Sequence, residues 1–188
     1  MDIAQTDLLI QNPVIAAVKD AASLEAALLS KVTVCFLVGS TLSDLPMYCS
    51  RLKERGKNVF VHVDMIDGLR PDREGIRYVL ETTRPSGMIS TKPAAIKIAG
   101  EYGAAGILRI FLIDSVSFRT GLAAIRSCRP CFVEVMPGLL EDAIRELSGQ
   151  MRVPIIASGF ITQKEQLLRA LASGAVAAST SAQSLWDL

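Results

Sequence analysis

Residues 154–181 read PIIASGFITQKEQLLRALASGAVAASTS, and this stretch holds one full repeat of the pattern that decides the fold. Residues 153–157 and 175–178 are short apolar runs of small and branched aliphatic residues, as in strands buried on both faces. The segment between them starts near Lys164 and has the apolar spacing of an amphipathic helix. The stretch therefore predicts a strand, a crossover helix and a second, parallel strand.

The same alternation extends back to the start of the chain. The other predicted strands cover residues 14–18, 33–38, 59–64, 87–90, 107–113 and 131–136. Helical patterns start near Ala22, Leu42, Asp72, Pro93, Phe118, Leu139, Lys164 and, very short, Ala182. Eight such units in series predict an α/β fold, a compact (β/α)8 barrel of the TIM type, as one domain over residues 1–188. Its helices must be short, because this fold typically takes ~250 residues; an open doubly wound sheet is the alternative.

Composition limits the class of protein. The chain carries 20 Lys and Arg against 19 Asp and Glu, so its charge as a whole implies no polyanion partner, although a local basic patch is compatible with it. Residues 1–13 lack the basic start of a signal peptide and include Asp2 and Asp7. Since no window approaches the ~18 apolar residues of a membrane span, we expect a cytoplasmic protein.

The four cysteines do not form a metal-binding pattern. Cys128 and Cys131 make the only C-x-x-C pair, and Cys35 and Cys49 are isolated. A zinc site needs a second pair or histidines, and His62 is the only histidine of the chain. We expect plain thiols and no metal or cofactor, with a reactive dithiol at Cys128 and Cys131 as the alternative.

Alternation along the strands predicts which side chains face the barrel axis. In residues 59–64 the valines share one face, which suits packing under helices and leaves Phe60 on the inner face. The ionisable side chains predicted to converge inside the upper barrel are His62, Asp64, Arg109 and Glu134. Because a lone buried charge is very costly, they must pair with each other or with a ligand. A structural Arg109–Glu134 pair and a ligand contact are both open, and both can hold.

The ends of the last two predicted strands suggest a phosphate site. Ser158-Gly159 follows the seventh strand and Ser179-Thr180-Ser181 follows the eighth, at the barrel face where binding sites of this fold gather. Gly159 permits close backbone approach, the hydroxyls can donate, and each loop precedes a predicted helix N-terminus that attracts anions. Ordinary helix capping by these residues is the alternative.

Two further groups of polar residues follow predicted strands. Lys92, in Ser90-Thr91-Lys92, could meet the other side of an anion or lie in solvent. Asp64 and Asp67 could accept hydrogen bonds from the hydroxyls of a polyol or, alternatively, bind a divalent cation.

The residues at the strand ends together resemble a known family. The matching runs are PVIAAVKD (13–20), GKNVFVHVDMIDGL (56–69), SGMISTK (86–92), ILRIFLIDS (107–115), VEVMPG (133–138), PIIASGFI (154–161) and GAVAASTS (174–181). In order and spacing they resemble the glycerol uptake operon antiterminator regulatory proteins over nearly the whole chain. One departure is Ser158, which stands where that family usually has the first of two glycines.

The resemblance implies a transcription regulator rather than an enzyme. It implies sensing of glycerol 3-phosphate, followed by action on the leader mRNA of glycerol-use genes. The phosphate is then expected at Ser158, Gly159, Ser179, Thr180 and Ser181. The glycerol end is expected at Asp64, Asp67, Ser90, Lys92, Arg109 and Glu134.

A basic run is the candidate RNA contact. Arg51, Lys53, Arg55 and Lys57 lie near the end of the second predicted helix, where cations also favour the helix dipole and few aromatic residues are available for base stacking. Two other functions are open. One is a sugar-phosphate isomerase or aldolase with His62 as a base, and the other is a metabolite-binding domain that acts on a protein partner. A homo-oligomer is compatible with each of these.

Overall fold

The computed structural model describes residues 12–188, and the expectation that the N-terminal segment is not a signal peptide concerns residues outside this range. Eight parallel strands close into a barrel in which each strand pairs with its neighbours in the chain and the first strand pairs with the last. The strands are β1 (Val14–Val18), β2 (Val34–Leu37), β3 (Asn58–His62), β4 (Gly87–Ser90), β5 (Ala105–Phe111), β6 (Phe132–Met136), β7 (Ile155–Ser158) and β8 (Ala175–Thr180). The predicted TIM-type barrel is confirmed, and the open sheet is excluded by the β1–β8 pairing.

Seven α-helices surround the strands of the described chain. They are α1 (Ala21–Leu29), α2 (Leu45–Glu54), α3 (Arg73–Thr83), α4 (Pro93–Glu101), α5 (Ser115–Cys128), α6 (Glu141–Gln150) and α7 (Lys164–Ala172). Most are about 9–11 residues, which explains how eight units fit into this length. The eighth predicted helix is only a single 3-10 turn, Gln183–Leu185, and residues 181–188 contain no α-helix.

The apolar residues form two separate layers, as the alternation predicts. Inside the barrel lie Ile15, Val34, Phe36, Phe60, Ile89, Ile107, Phe132, Ile156 and Ala177. Val59, Val61, Val133 and Val135 belong instead to the larger layer between strands and helices. Because successive strand residues point to opposite faces, this split follows from the strand pattern alone.

Several strand bounds differ from the prediction by one or two residues, and β8 runs on to Thr180, so that Ser179 and Thr180 are strand residues. β3 ends at His62, and residues 63–65 turn as a 3-10 helix, so Asp64 is not a strand residue facing the axis. β5 ends at Phe111, which leaves Ile113 in the following loop. Beyond the turn, Ile66–Asp67 pairs in parallel with Ser40–Thr41, and this short ribbon joins the loops after β3 and β2.

The cysteines are free thiols. Burial raises the pKa of Cys35 to about 12 and that of Cys49 to about 11, and it also raises the pKa of Cys128. Since the thiolate is the reactive form, the raised pKa of Cys128 disfavours the reactive-dithiol alternative at Cys128 and Cys131. Among residues 12–188 no helix is long and apolar enough to cross a membrane.

Candidate anion-binding site

A cavity of about 310 Å³ opens between the carboxyl ends of β7 and β8. Ser179 and Ser158 pair across these neighbouring strands, so the two predicted halves of the phosphate site lie side by side. All five predicted phosphate residues line this one cavity: Ser158, Gly159, Ser179, Thr180 and Ser181.

The hydroxyls of Ser179 and Thr180, at the end of β8, differ in their hydrogen bonding. Thr180 Oγ1 donates to the carbonyl oxygen of Ile161 (2.6 Å) and accepts from the N–H of Ala182 (3.0 Å), so it ties the β7 and β8 loops together. Ser179 Oγ is buried and has no hydrogen-bond partner in the described chain. An unsatisfied buried hydroxyl costs about 1–3 kcal/mol, which a ligand oxygen in the cavity would relieve.

The loop after β7 is held in a strained conformation. Gly159 has φ +82°, and a Cβ there would come within 2.8 Å of Met136 Cε. Phe160 follows at φ +61° and is 75 % exposed at the mouth of the cavity. Left-handed backbone is rare for residues other than glycine, and such strain gathers at functional sites.

The charges around the cavity favour an anion. Lys19 and Arg109 both line it, and none of its described lining residues is a carboxylate. Lys19 was not among the predicted site residues, because it follows β1 at the other end of the chain. Only closure of the barrel places β1 beside β8.

The helix N-termini expected at the two loops differ from the simple prediction. Gln166, in the first turn of α7, caps the start of this helix. Its Oε1 accepts from the N–H groups of Thr162 (2.8 Å) and Gln163 (3.0 Å). The 3-10 turn after β8 is too short for an appreciable dipole. The N–H groups of Thr162 and Gln163 are therefore already engaged within the chain, and the cations and hydroxyls of the lining are the groups available to an anion.

Most residues expected at the glycerol end lie outside this cavity. The carboxylate of Asp64 accepts from Ser90 Oγ (3.0 Å), from the Thr91 N–H (2.7 Å) and from Thr91 Oγ1 (3.0 Å), so it holds the β4–α4 loop. Asp67 borders a separate groove beside the β2 loop, and Lys92 is exposed at the start of α4. Asp64 lies in the 3-10 turn after β3 rather than in the strand itself.

Arg109 and Glu134 form a two-pronged ion pair inside the barrel. Arg109 Nε and Nη2 donate to Glu134 Oε2 (2.7 Å) and Oε1 (3.2 Å), respectively. Glu134 is fully buried, whereas Arg109 also lines the cavity. The structural pair is thus confirmed, and Arg109 is the one residue predicted for the glycerol end that lines the cavity.

His62 is buried without a hydrogen bond on either ring nitrogen. Burial, together with the nearby Arg109, lowers its pKa to about 4, against an opposing effect of Asp64. Its Nδ1 lies 4.0 Å from Asp64 Oδ2, beyond hydrogen-bond reach, and His62 does not line the cavity. This geometry does not supply the base that an isomerase would need.

Three members of the predicted basic run make contacts within the chain. Arg51 forms a two-pronged pair with Glu25. Lys53 Nζ donates to the carbonyl oxygens of Thr83 and Arg84, and Lys57 Nζ donates to those of Ser30 and Val32. The side chain of Arg55 is the one of the four with neither a hydrogen bond nor an ion pair to a described residue.

Replacing Gly159 with alanine should destabilise the protein by about 1–2 kcal/mol, since φ +82° is unfavourable for alanine and Met136 must move. Urea unfolding measures the change. The matched control is Gly100→Ala in α4, where an added Cβ meets nothing within 4 Å. This substitution should stabilise the protein by about 0.5–1 kcal/mol. Equal effects of the two substitutions would show that the β7 loop is not constrained.

A closed parallel barrel with a cation-lined cavity at the ends of β7 and β8 defines this molecule as a TIM-barrel protein with a candidate site for a small anion. Among residues 12–188, no group of three His, Cys, Asp or Glu side chains is placed to hold a metal ion. The model of the glycerol-3-phosphate responsive antiterminator family matches residues 14–186, and the chain belongs to that family.

Known proteins of similar sequence and structure agree with this assignment. A glycerol uptake operon antiterminator regulatory protein from Listeria monocytogenes superposes with a TM-score of 0.90 at 30 % identity, over 93 % of this chain and 95 % of that one. For an antiterminator-related protein from Thermotoga maritima these values are 0.82, 31 %, 92 % and 96 %. The uncharacterized protein YgcP of Escherichia coli is 33 % identical over 96 % of this chain and 95 % of its own. Barrel enzymes at or below 15 % identity share only the fold with this chain. Membership of the antiterminator family supports a regulatory role in antitermination.

Proposed function

We propose that the protein senses glycerol 3-phosphate in the β7–β8 cavity and, when loaded, acts on the leader mRNA of glycerol-use genes, so that transcription continues past a terminator. The observation that carries the sensing step is Ser179 Oγ, a buried hydroxyl without a partner that lines a cavity with two cations and no carboxylate.

The phosphate group fits the β7–β8 end of the cavity. Ser179, Ser158 and Ser181 supply hydroxyls there, and the left-handed turn at Gly159 lets the backbone approach closely. Lys19 adds a flexible cation from the neighbouring β1. Charge-assisted hydrogen bonds of this kind are about twice as strong as neutral ones.

The polyol end then extends towards Arg109. Its Nη1 is not part of the pair with Glu134, and its nearest partner is the sulfur of Met65 at 3.6 Å. A ligand hydroxyl is a better acceptor than a thioether. The volume of about 310 Å³ suits a molecule of this size and lies at the small end of ligand pockets.

Sensing without catalysis is favoured by what the cavity lacks. Its described lining contains neither a histidine nor a carboxylate, the side chains that most often serve as general bases. Binding alone needs only the donors and cations that are present.

Glycerol 3-phosphate should raise the melting temperature more than inorganic phosphate or glycerol does. At a concentration ten times its dissociation constant, it should stabilise the folded protein by about 1.4 kcal/mol. Ser179→Ala and Lys19→Gln should each weaken binding about tenfold, since each removes one direct contact to the phosphate. Ser127→Ala and Lys97→Gln, outside the cavity, are the matched controls. An equal response to all three compounds, or unchanged affinity in both cavity variants, would contradict the sensing step.

A further inference from the structure

We infer that the RNA backbone binds the face of the barrel at the amino ends of the strands, opposite the ligand cavity; this rests on the proposed function. The surface consists of the seven connections from each α-helix to the next strand. They are residues 30–33, 55–57, 84–86, 102–104, 129–131, 151–154 and 173–174. In a parallel barrel all of them lie on one face.

The charged residues within these seven connections are all of one sign. The seven connections contain six basic residues and no acidic one: Lys31, Arg55, Lys57, Arg84, Arg129 and Arg152. The connections on the opposite face contain six aspartates and three basic residues. A chain with a net charge of only +1 thus separates its charges between two faces, and a polyanion is steered to the basic one.

The arginines of this face are also free of internal partners. Arg55, Arg84, Arg129 and Arg152 are exposed, and none of them forms an ion pair with a described residue. Elsewhere, seven of the nine other arginines pair with a carboxylate: Arg51, Arg70, Arg73, Arg77, Arg109, Arg145 and Arg169. Unpaired guanidinium groups are the side chains best suited to grip phosphate oxygens.

Two of these arginines occupy backbone positions that favour glycine. Arg84 (φ +43°) and Arg129 (φ +48°) each end a helix in the left-handed conformation, and each precedes a proline. Glycine is the usual residue at such helix ends. Because arginine occupies this unfavourable backbone position at the ends of two helices, we expect its side chain to have a function there.

Neutralisation of helix dipoles does not account for the four arginines. Lys53 and Lys57 already donate to carbonyl oxygens at the ends of α3 and α1, as expected of cations with that role. The nearby carboxylates are also engaged. Glu101 pairs with Arg73, Glu54 accepts from Ser50 Oγ, and Asp187 accepts from the Lys31 N–H. The guanidinium groups are left for an external anion.

The experiment measures the affinity for a fluorescent leader RNA of a glycerol-use operon by anisotropy, with glycerol 3-phosphate present, over a series of KCl concentrations. The test variant is R55Q/R84Q/R129Q/R152Q. The control R70Q/R77Q/R119Q/R145Q removes the same charge elsewhere on the surface. We expect the test variant to bind at least about tenfold more weakly, with a log–log salt slope smaller by about 3, because each phosphate contact contributes roughly 0.7. The control should stay within about threefold of the unaltered protein.

The outcomes separate this surface from the function on which it rests. The thermal response to glycerol 3-phosphate should be intact in both variants, which shows that they are folded. Equal binding by the test variant and the unaltered protein would overturn the surface and leave RNA action standing. Equal losses in both variants would reduce the effect to net charge and also overturn it. No RNA binding by the unaltered protein, with the ligand response intact, would overturn both the surface and the RNA step.

Discussion

Replacing Glu134 with alanine should lower the free energy of unfolding by about 3–5 kcal/mol, measured by urea denaturation. Glu134 is fully buried, and Arg109 is only 8 % exposed. The substitution removes both oxygens that accept from Arg109 Nε and Nη2 and leaves the guanidinium inside the barrel without its counter-ion. The cost arises mainly from that uncompensated charge rather than from the lost bonds.

A double variant distinguishes this cause from simple loss of packing. Arg109→Met with Glu134→Leu removes both charges and keeps most of the volume, so it should recover more than half of the lost stability. It should still bind glycerol 3-phosphate poorly, because Arg109 lines the cavity. A loss below about 1 kcal/mol in Glu134→Ala would mean that Arg109 is well solvated without its partner.

Acidification from pH 7.5 to pH 5 should destabilise the protein by about 2 kcal/mol through His62. Burial and Arg109 lower the pKa of His62 from its ordinary value of 6.5 to about 4 in the folded state. Between these values the unfolded chain binds a proton that the folded chain does not. The contribution is therefore fully present above pH 6.5 and is lost as the pH falls towards 4.

The window suits a direct measurement, since His62 is the only histidine. Hydrogen bonds and ion pairing lower the pKa of Asp20, Asp114 and Glu25, so these carboxyls titrate below the window. In His62→Leu the free energy of unfolding should change little between pH 7.5 and pH 5. His62→Gln provides a second titration-free variant if leucine packs badly. An unchanged pH slope in both would assign the effect to other groups.

Part of the site follows from local sequence. Alternation in residues 59–64 and in β6 separates inner from outer side chains, because the strand period of two holds wherever the strand is regular. The serines at the ends of β7 and β8 could also be predicted to lie together, because consecutive parallel strands end at the same face of the barrel. The predicted strand was wrong at Asp64, because the strand ends at His62 and residues 63–65 form a 3-10 turn, which interrupts the alternation.

The sequence by itself determined the order of strands and helices, the two apolar layers and the pair of loops that line the cavity. Each of these depends on spacing within one or two neighbouring units. Only the tertiary structure decided that Lys19 lines the cavity and that Thr180 joins two loops, whereas Ser179 Oγ has no partner among residues 12–188. It also decided that Arg51 pairs with Glu25, whereas Arg84 forms no ion pair with a described residue. Hydrogen bonds and ion pairs act over a few ångströms between residues far apart in the chain, so they exist only once the barrel has closed.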